Sequence, residues 1–165
     1  ACGCSSVMKV VQHVTDDGVL ALRNKLSQLD DAYWRDRSRH KPNMGLNGDV
    51  GHYFSCARES MPHAIRADID AVAPRFEPYE LEGWLVNKTP VGGGMPPHID
   101  NEGYFGIGIL CLQSHSGSFE WYNDVNQPEK ITDKAGQLIL FDDTQLVHRV
   151  PAVLNERYVV VFLYR

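Results

Sequence analysis

The spacing of apolar residues changes character near position 79. Before it, VMKVVQHV (7 to 14) alternates loosely and is rich in valine, which predicts a strand. Thr15 and Asp16 then suit a helix cap, and Val19, Leu20, Leu22, Leu26 and Leu29 recur at helical spacing, predicting a helix that ends near Tyr33. YWRDRSRHKPNMGLNGDVG is polar and broken by Pro42, Gly45, Gly48 and Gly51, the chemistry of a loop or lid-like segment over 34–58. Ser60, Met61 and Pro62 open a second helix through Ile65 and Ile69 to about Val72. From Tyr79 onward the pattern becomes strands parted by Gly, Pro, Asn and Asp: YELEGWLVNKT, YFGIGILCLQ, GSFEWYN, EKIT, GQLILFDD, LVHRVPAV and ERYVVVFLYR. Short, closely spaced strands with no helical pattern between them predict a mainly β architecture of the sandwich or jelly-roll type. Two N-terminal α-helices would buttress one sheet. No internal repeat interrupts this reading.

Length and composition narrow the picture modestly. A chain of 165 residues fits one domain. It divides into 1–78 (strand, helices and lid-like loop) and a 79–165 β core. Apolar residues make up 43% and charged residues 22%, as in ordinary globular proteins. No apolar run approaches the roughly 18 residues that cross a bilayer. The net charge of -5 argues against broad attraction to the nucleic-acid backbone. Cys2, Cys4, Cys56 and Cys111 have neither zinc-site spacing nor the density of a disulfide scaffold, so reduced thiols are expected. The chain as given shows no signal-peptide pattern, which sets a cytoplasmic location as the default expectation. Oligomeric state is not legible.

Candidate chemistry begins at GGGMPPHIDNEG. His98 and Asp100, at i and i+2 of an extended segment, face the same way and can offer an imidazole nitrogen and a carboxylate oxygen to one ion. Such a pair alone is a common accident. GQLILFDDTQLVHRVPAV adds His148, and two histidines with one carboxylate make the facial triad that holds non-haem Fe(II) with open positions. Asp142 and Asp143 are candidates to orient His148, against the plainer reading of solvated turn residues. Arg157, opening ERYVVVFLYR, can grip a carboxylate through its planar fork; paired with Glu156 or solvent, it would be an ordinary strand end.

The order of these parts, strand, glycine turn, H-x-D, strands, His and then Arg on the last strand, resembles the 2-oxoglutarate-dependent Fe(II) oxygenases. The prolyl-hydroxylase-like branch is the nearest in pattern. LEGWLVNKTPVGGGMPPHIDN, GSFEWYN, GQLILFDDTQLVHRVPAV and ERYVVVFLYR carry the resemblance, which covers roughly residues 79 to 165. It implies a double-stranded β-helix (a jelly-roll or cupin-like barrel), Fe(II) held by His98, Asp100 and His148, and Arg157 on the distal carboxylate of 2-oxoglutarate. It also implies O2 as cosubstrate, ascorbate as an optional reductant, and hydroxylation of a peptidyl (prolyl-like) or amino-acid-like substrate with release of succinate and CO2. The chain departs from the pattern in two places. Asn87 and Lys88 stand where relatives often carry a cosubstrate-binding tyrosine, and Cys111 stands near another such position. Lys88 is therefore a candidate second cation for the cosubstrate, weighed against a solvated strand-end lysine.

Other readings remain open. A cupin-like metal-binding or sensing module without oxygenase activity would use His98, His115 and His148. Oxidative nucleic-acid dealkylases share the superfamily, but they commonly carry a second arginine where this chain has Leu163. WRDRSRHK (34 to 41) could grip a phosphate, an acidic peptide or a nucleic-acid strand, or form a solvated charged loop. The glycines at 92 to 94 lack the Lys-Ser or Lys-Thr of a phosphate loop. No nucleophile-elbow motif supports hydrolysis. Asp100 itself argues against halogenation, which needs that ligand position for a halide.

Overall fold

The computed structural model describes residues 8–38, 51–100, 103–123 and 125–165. Cys2, Cys4 and the stretch from Arg39 through Pro42, Gly45 and Gly48 lie outside the described residues. The described chain builds two antiparallel sheets in a jelly-roll-like arrangement. A seven-stranded sheet has the order β1-β9-β6-β11-β4-β3-β2 and a four-stranded sheet the order β5-β10-β7-β8. The strands are β1 (Met8–Gln12), β2 (Arg35–Asp36), β3 (Phe54–Ala57), β4 (Leu81–Thr89), β5 (Met95–His98) and β6 (Gly106–Cys111). They continue with β7 (Ser118–Tyr122), β8 (Pro128–Thr132), β9 (Gln137–Phe141), β10 (His148–Val150) and β11 (Arg157–Tyr164). All seven predicted C-terminal strands form. β2, β3 and β5 were not anticipated, because the first two are short and isolated among loop residues and the third contains two prolines. β5 tolerates Pro96 and Pro97 because it is an edge strand, hydrogen-bonded on one side only.

Alternation along the strands sorts their side chains into two cores. On one face of the large sheet Trp84, Val86, Leu110, Leu138, Leu140, Tyr158, Val160, Phe162 and Tyr164 pack against Val19, Leu22 and Leu26 of α1 (Asp16–Ser27) and Ile65 and Ile69 of α2 (His63–Val72). The Thr15 side chain caps α1 by accepting from the Gly18 N–H at 3.3 Å. α1 stops at Ser27, short of the predicted Tyr33. Asp30 instead accepts from Ala32 N–H at 2.9 Å and starts a separate 3-10 turn over Asp31–Tyr33. On the other face Ile107, Ile109, Ile139, Phe141 and Val159 meet Phe119 of the small sheet. This second core is incomplete, and the gap between the sheets is the cavity described below. Among the described residues no helix is long and apolar enough to cross a membrane.

The glycine turn sets the relation of the sheets. A Cβ on Gly94 would lie 2.4 Å from the Val150 carbonyl oxygen, and one on Gly93 would lie 2.5 Å from that of His52. Only hydrogen fits at either place. Gly92 N–H donates to the Val153 carbonyl at 2.9 Å and Val153 N–H returns to the Gly93 carbonyl at 2.9 Å. The turn is thereby locked to the chain leaving β10, bringing β5 alongside it.

Candidate metal centre and its cavity

β5 and β10 pair antiparallel with His98 directly opposite His148, so both imidazoles leave the same face. Their ring centroids lie 4.3 Å apart. Asp100, two residues beyond His98, brings its Oδ1 to 3.7 Å from His98 Nε2 and 3.3 Å from His148 Nε2. One donor atom from each of the three residues lies within 4.8 Å of the others.

Hydrogen bonding fixes which ring nitrogens are available. His98 Nδ1 lies 2.8 Å from the Pro96 carbonyl oxygen, and His148 Nδ1 lies 3.0 Å from that of Leu146. A carbonyl only accepts, so each Nδ1 carries a hydrogen and each Nε2 faces Asp100, holding either a proton donated to the carboxylate or, in the neutral ring, a lone pair. The neutral ring is then the tautomer a metal ion requires. The orienting acceptors are these backbone carbonyls. Asp142 instead accepts from the Tyr79 hydroxyl at 3.0 Å, and Asp143 caps its own turn by accepting from Gln145 N–H at 2.9 Å. Phe119 and Phe141 hold the His148 ring, with centroids at 5.3 and 5.5 Å.

Charge at the site is coupled. Burial works to raise the Asp100 carboxyl, but the attraction of His148 and hydrogen bonds from both histidines outweigh it and hold the group well below the usual carboxylate range. Burial works to lower His148, yet the Asp100 charge and hydrogen bond raise it. A proton on Nε2 would take the place of a divalent cation, so proton and metal compete for the same lone pairs. Two neutral imidazoles and a carboxylate suit Fe(II).

The three residues open into a cavity of about 340 Å³ between the sheets. Leu85, Ile107, Ile109, Val159, Val161 and Leu163 form much of its wall. Arg157 also lines the cavity. It is 3% exposed and already partnered: Nε donates to Asp133 Oδ2 at 2.8 Å and Nη2 to Oδ1 at 3.2 Å. Ser116 Oγ donates to the same Asp133 Oδ2 at 2.6 Å. Asp133 comes from the turn after β8, far from Arg157 in sequence, so its role was not visible there.

Lys88 is not brought to the cavity. It follows Asn87 on β4 and therefore points to the opposite face, where its Nζ lies 5.3 Å from the centroid of the buried Trp34 ring. Asn87 faces the cavity in its stead, with Tyr53, Ser55 and Arg37 from the N-terminal segment. The alternation of Tyr53 and Ser55 against Phe54 and Cys56 was the available sequence signal. Cys111 is buried, and burial pushes its thiol up to about 11. His115 is exposed in a left-handed turn at φ 63 and stands outside the convergent group.

No protein-family model matches the chain. No curated protein matches it by sequence. Solved structures do match in three dimensions. A Trichoplax adhaerens prolyl hydroxylase, solved with a hypoxia inducible factor oxygen degradation domain peptide fragment, aligns with a TM-score of 0.70 at 17% identity over 95% of this chain and 82% of its own. A Pseudomonas putida prolyl-4-hydroxylase aligns at 0.66 and 16% identity over 97% and 92%. The viral collagen prolyl hydroxylase of Paramecium Bursaria Chlorella virus-1, solved as its 2-oxoglutarate complex, aligns at 0.63 and 14% identity over 96% and 95%. The chain has the fold of the 2-oxoglutarate/Fe(II) oxygenases. The sequence resemblance began near residue 79, whereas the fold likeness takes in the N-terminal strand and helices as well.

Proposed function

We propose that residues 1–165 form one Fe(II)- and 2-oxoglutarate-dependent oxygenase unit that hydroxylates a peptidyl or amino-acid-like substrate. The observation that carries this reading is the convergence of His98, Asp100 and His148 on a cavity that Arg157 also lines. His98 and His148 would hold the iron through Nε2 and Asp100 through a carboxylate oxygen. When bound, iron and 2-oxoglutarate supply the oxidising chemistry, in which 2-oxoglutarate and O2 are consumed, succinate and CO2 leave, and one oxygen atom enters a substrate C–H bond.

The chain's own residues do the rest. The Pro96 and Leu146 carbonyls keep both imidazoles in the ligating tautomer. Asp133 takes two nitrogens of Arg157 and holds its guanidinium in one orientation, leaving Nη1 for the distal carboxylate of 2-oxoglutarate. The aliphatic wall excludes water from the reacting centre. The peptide held by the Trichoplax relative supports a peptidyl substrate, and the polar groups discussed next support a free amino acid.

Aerobic incubation with Fe(II) and 2-oxoglutarate tests this reading through succinate release. The wild type should convert 2-oxoglutarate to succinate, and His148→Ala should do so at the rate of free iron. Equal rates for the two proteins would refute the assignment.

A further inference from the structure

The cavity wall carries a cation and hydrogen-bonding groups that the iron and cosubstrate leave unused. Arg37 and Tyr53 sit side by side there: Arg37 N–H donates to the Tyr53 carbonyl at 2.9 Å, both side chains line the cavity, and the Arg37 charge acts on the Tyr53 phenol. A guanidinium has no acceptor, so in any contact between the two Arg37 donates and the Tyr53 oxygen accepts, which leaves the phenol hydrogen for a further acceptor. Burial keeps that hydrogen in place by raising Tyr53, against the lowering effect of Arg37, with the Asp100 charge adding to the rise; Tyr53 and Asp100 line the same cavity. Among the described residues Arg37 has no carboxylate within 4.0 Å, in contrast to Arg157.

Asn87 completes the group. It pairs with Ser55 across β4 and β3, one step diagonal from Tyr53 on the same face. Its Oδ1 is buried and has no hydrogen-bond partner among the described residues. Buried acceptors are almost always satisfied, so one left open in a cavity wall points to a ligand N–H or O–H. A cation with a spare phenol O–H, beside an orphan acceptor, matches a molecule carrying both a carboxylate and an N–H donor.

We infer that Arg37, Tyr53 and Asn87 bind the head group of a free α-amino or imino acid, with its carboxylate on Arg37 and Tyr53 and its N–H on Asn87 Oδ1. This rests on the oxygenase reading and selects among its substrates. A residue inside a peptide has no such carboxylate and would leave Arg37 unpaired. Arg157 is held by Asp133 and given to the cosubstrate in this reading, so among the described residues lining the cavity Arg37 is the cation left for a second carboxylate.

The test is anaerobic calorimetry on the full chain loaded with Fe(II) and 2-oxoglutarate, titrated with the standard L-amino acids and with their carboxamides. At least one free acid should bind, with its carboxamide weaker by about tenfold or more, as expected for loss of a charge-assisted pair. Arg37→Gln should abolish that preference while the visible absorption of the iron–cosubstrate chelate persists, and Tyr53→Phe should reduce it. Equal binding of acid and amide, no binding by any amino acid, or a preference that survives Arg37→Gln would overturn the inference. So would loss of 2-oxoglutarate binding in Arg37→Gln, which would assign Arg37 to the cosubstrate. A wild type that never binds 2-oxoglutarate would instead defeat the oxygenase reading itself.

Discussion

β11 presents two faces built by one rule of alternation and put to different uses. Tyr158, Val160, Phe162 and Tyr164 point toward the helices and are each 0% exposed. Arg157, Val159, Val161 and Leu163 point between the sheets and line the cavity. On the helix side the Tyr164 hydroxyl donates to the Pro74 carbonyl at 2.6 Å, although Trp34 Nε1 and the Nε atoms of Arg23 and Arg66 lack partners among the described residues. On the cavity side Asn87 Oδ1 has no partner among the described residues, and the histidines direct their Nε2 atoms inward toward Asp100. One face gains stability from complete packing. The other leaves packing and hydrogen bonding incomplete, which is what a ligand site requires.

The comparison breaks most strongly at Phe162. Phe162→Ala should cost about 3–5 kcal/mol of stability in urea denaturation, because a fully buried ring leaves a cavity under the helices. Metal and cosubstrate affinity of the folded protein should be unchanged, since the side chain faces away from the site. A loss below about 1 kcal/mol would mean that the helix layer contributes little to stability.

Asp133→Asn sharpens the contrast from the cavity side. It leaves the Arg157 charge buried without its counterion, a loss of about 3 kcal/mol by analogy with other broken buried pairs. A dicarboxylate can supply the missing charge, so 2-oxoglutarate with metal should raise the melting temperature of the variant more than that of the wild type. An equal or smaller rise would show that Arg157 does not meet the cosubstrate.

The smallest effect concerns Asp70 of α2. Hydrogen bonding from Arg58 pulls its pKa down, burial opposes this, and Trp84 Nε1, donating at 2.8 Å, adds to the lowering. A depressed carboxyl contributes stability above its unfolded value, near 3.8, and loses it as pH falls through the folded value. With the Asp70 side chain 39% exposed, solvent screening keeps the contribution small. Asp70→Asn should therefore melt slightly earlier than the wild type at neutral pH, and the gap should close as the pH falls through the lowered folded value. A gap that persists in acid would place the effect in packing.

What could be read from the sequence follows the range of the interactions. Strands from β4 onward, β5 apart, were legible because their own alternation encodes them. β5 was not, since MPPH looks like turn chemistry until its edge position is known. His98, Asp100 and His148 could be grouped by order and residue type. Lys88 was misjudged by one step of alternation, a shift that moves a side chain to the other face of a sheet. Asp133 reaches Arg157 through a pairing that no local pattern marks, while Tyr53 and Arg37 lay within local patterns, the alternation over 53–56 and the WRDRSRHK run, whose place at the cavity wall only strand pairing decides.

The central claim is that His98, Asp100 and His148 hold iron beside an arginine that receives 2-oxoglutarate. Anaerobic titration of metal-free protein with Fe(II) and then 2-oxoglutarate, following the visible charge-transfer absorption, tests it most directly. The account predicts a band at about one iron per chain. That band should be absent in His98→Ala, and in Arg157→Ala it should require about tenfold or more additional 2-oxoglutarate. A wild-type protein that stays folded through the titration and develops no band would contradict it.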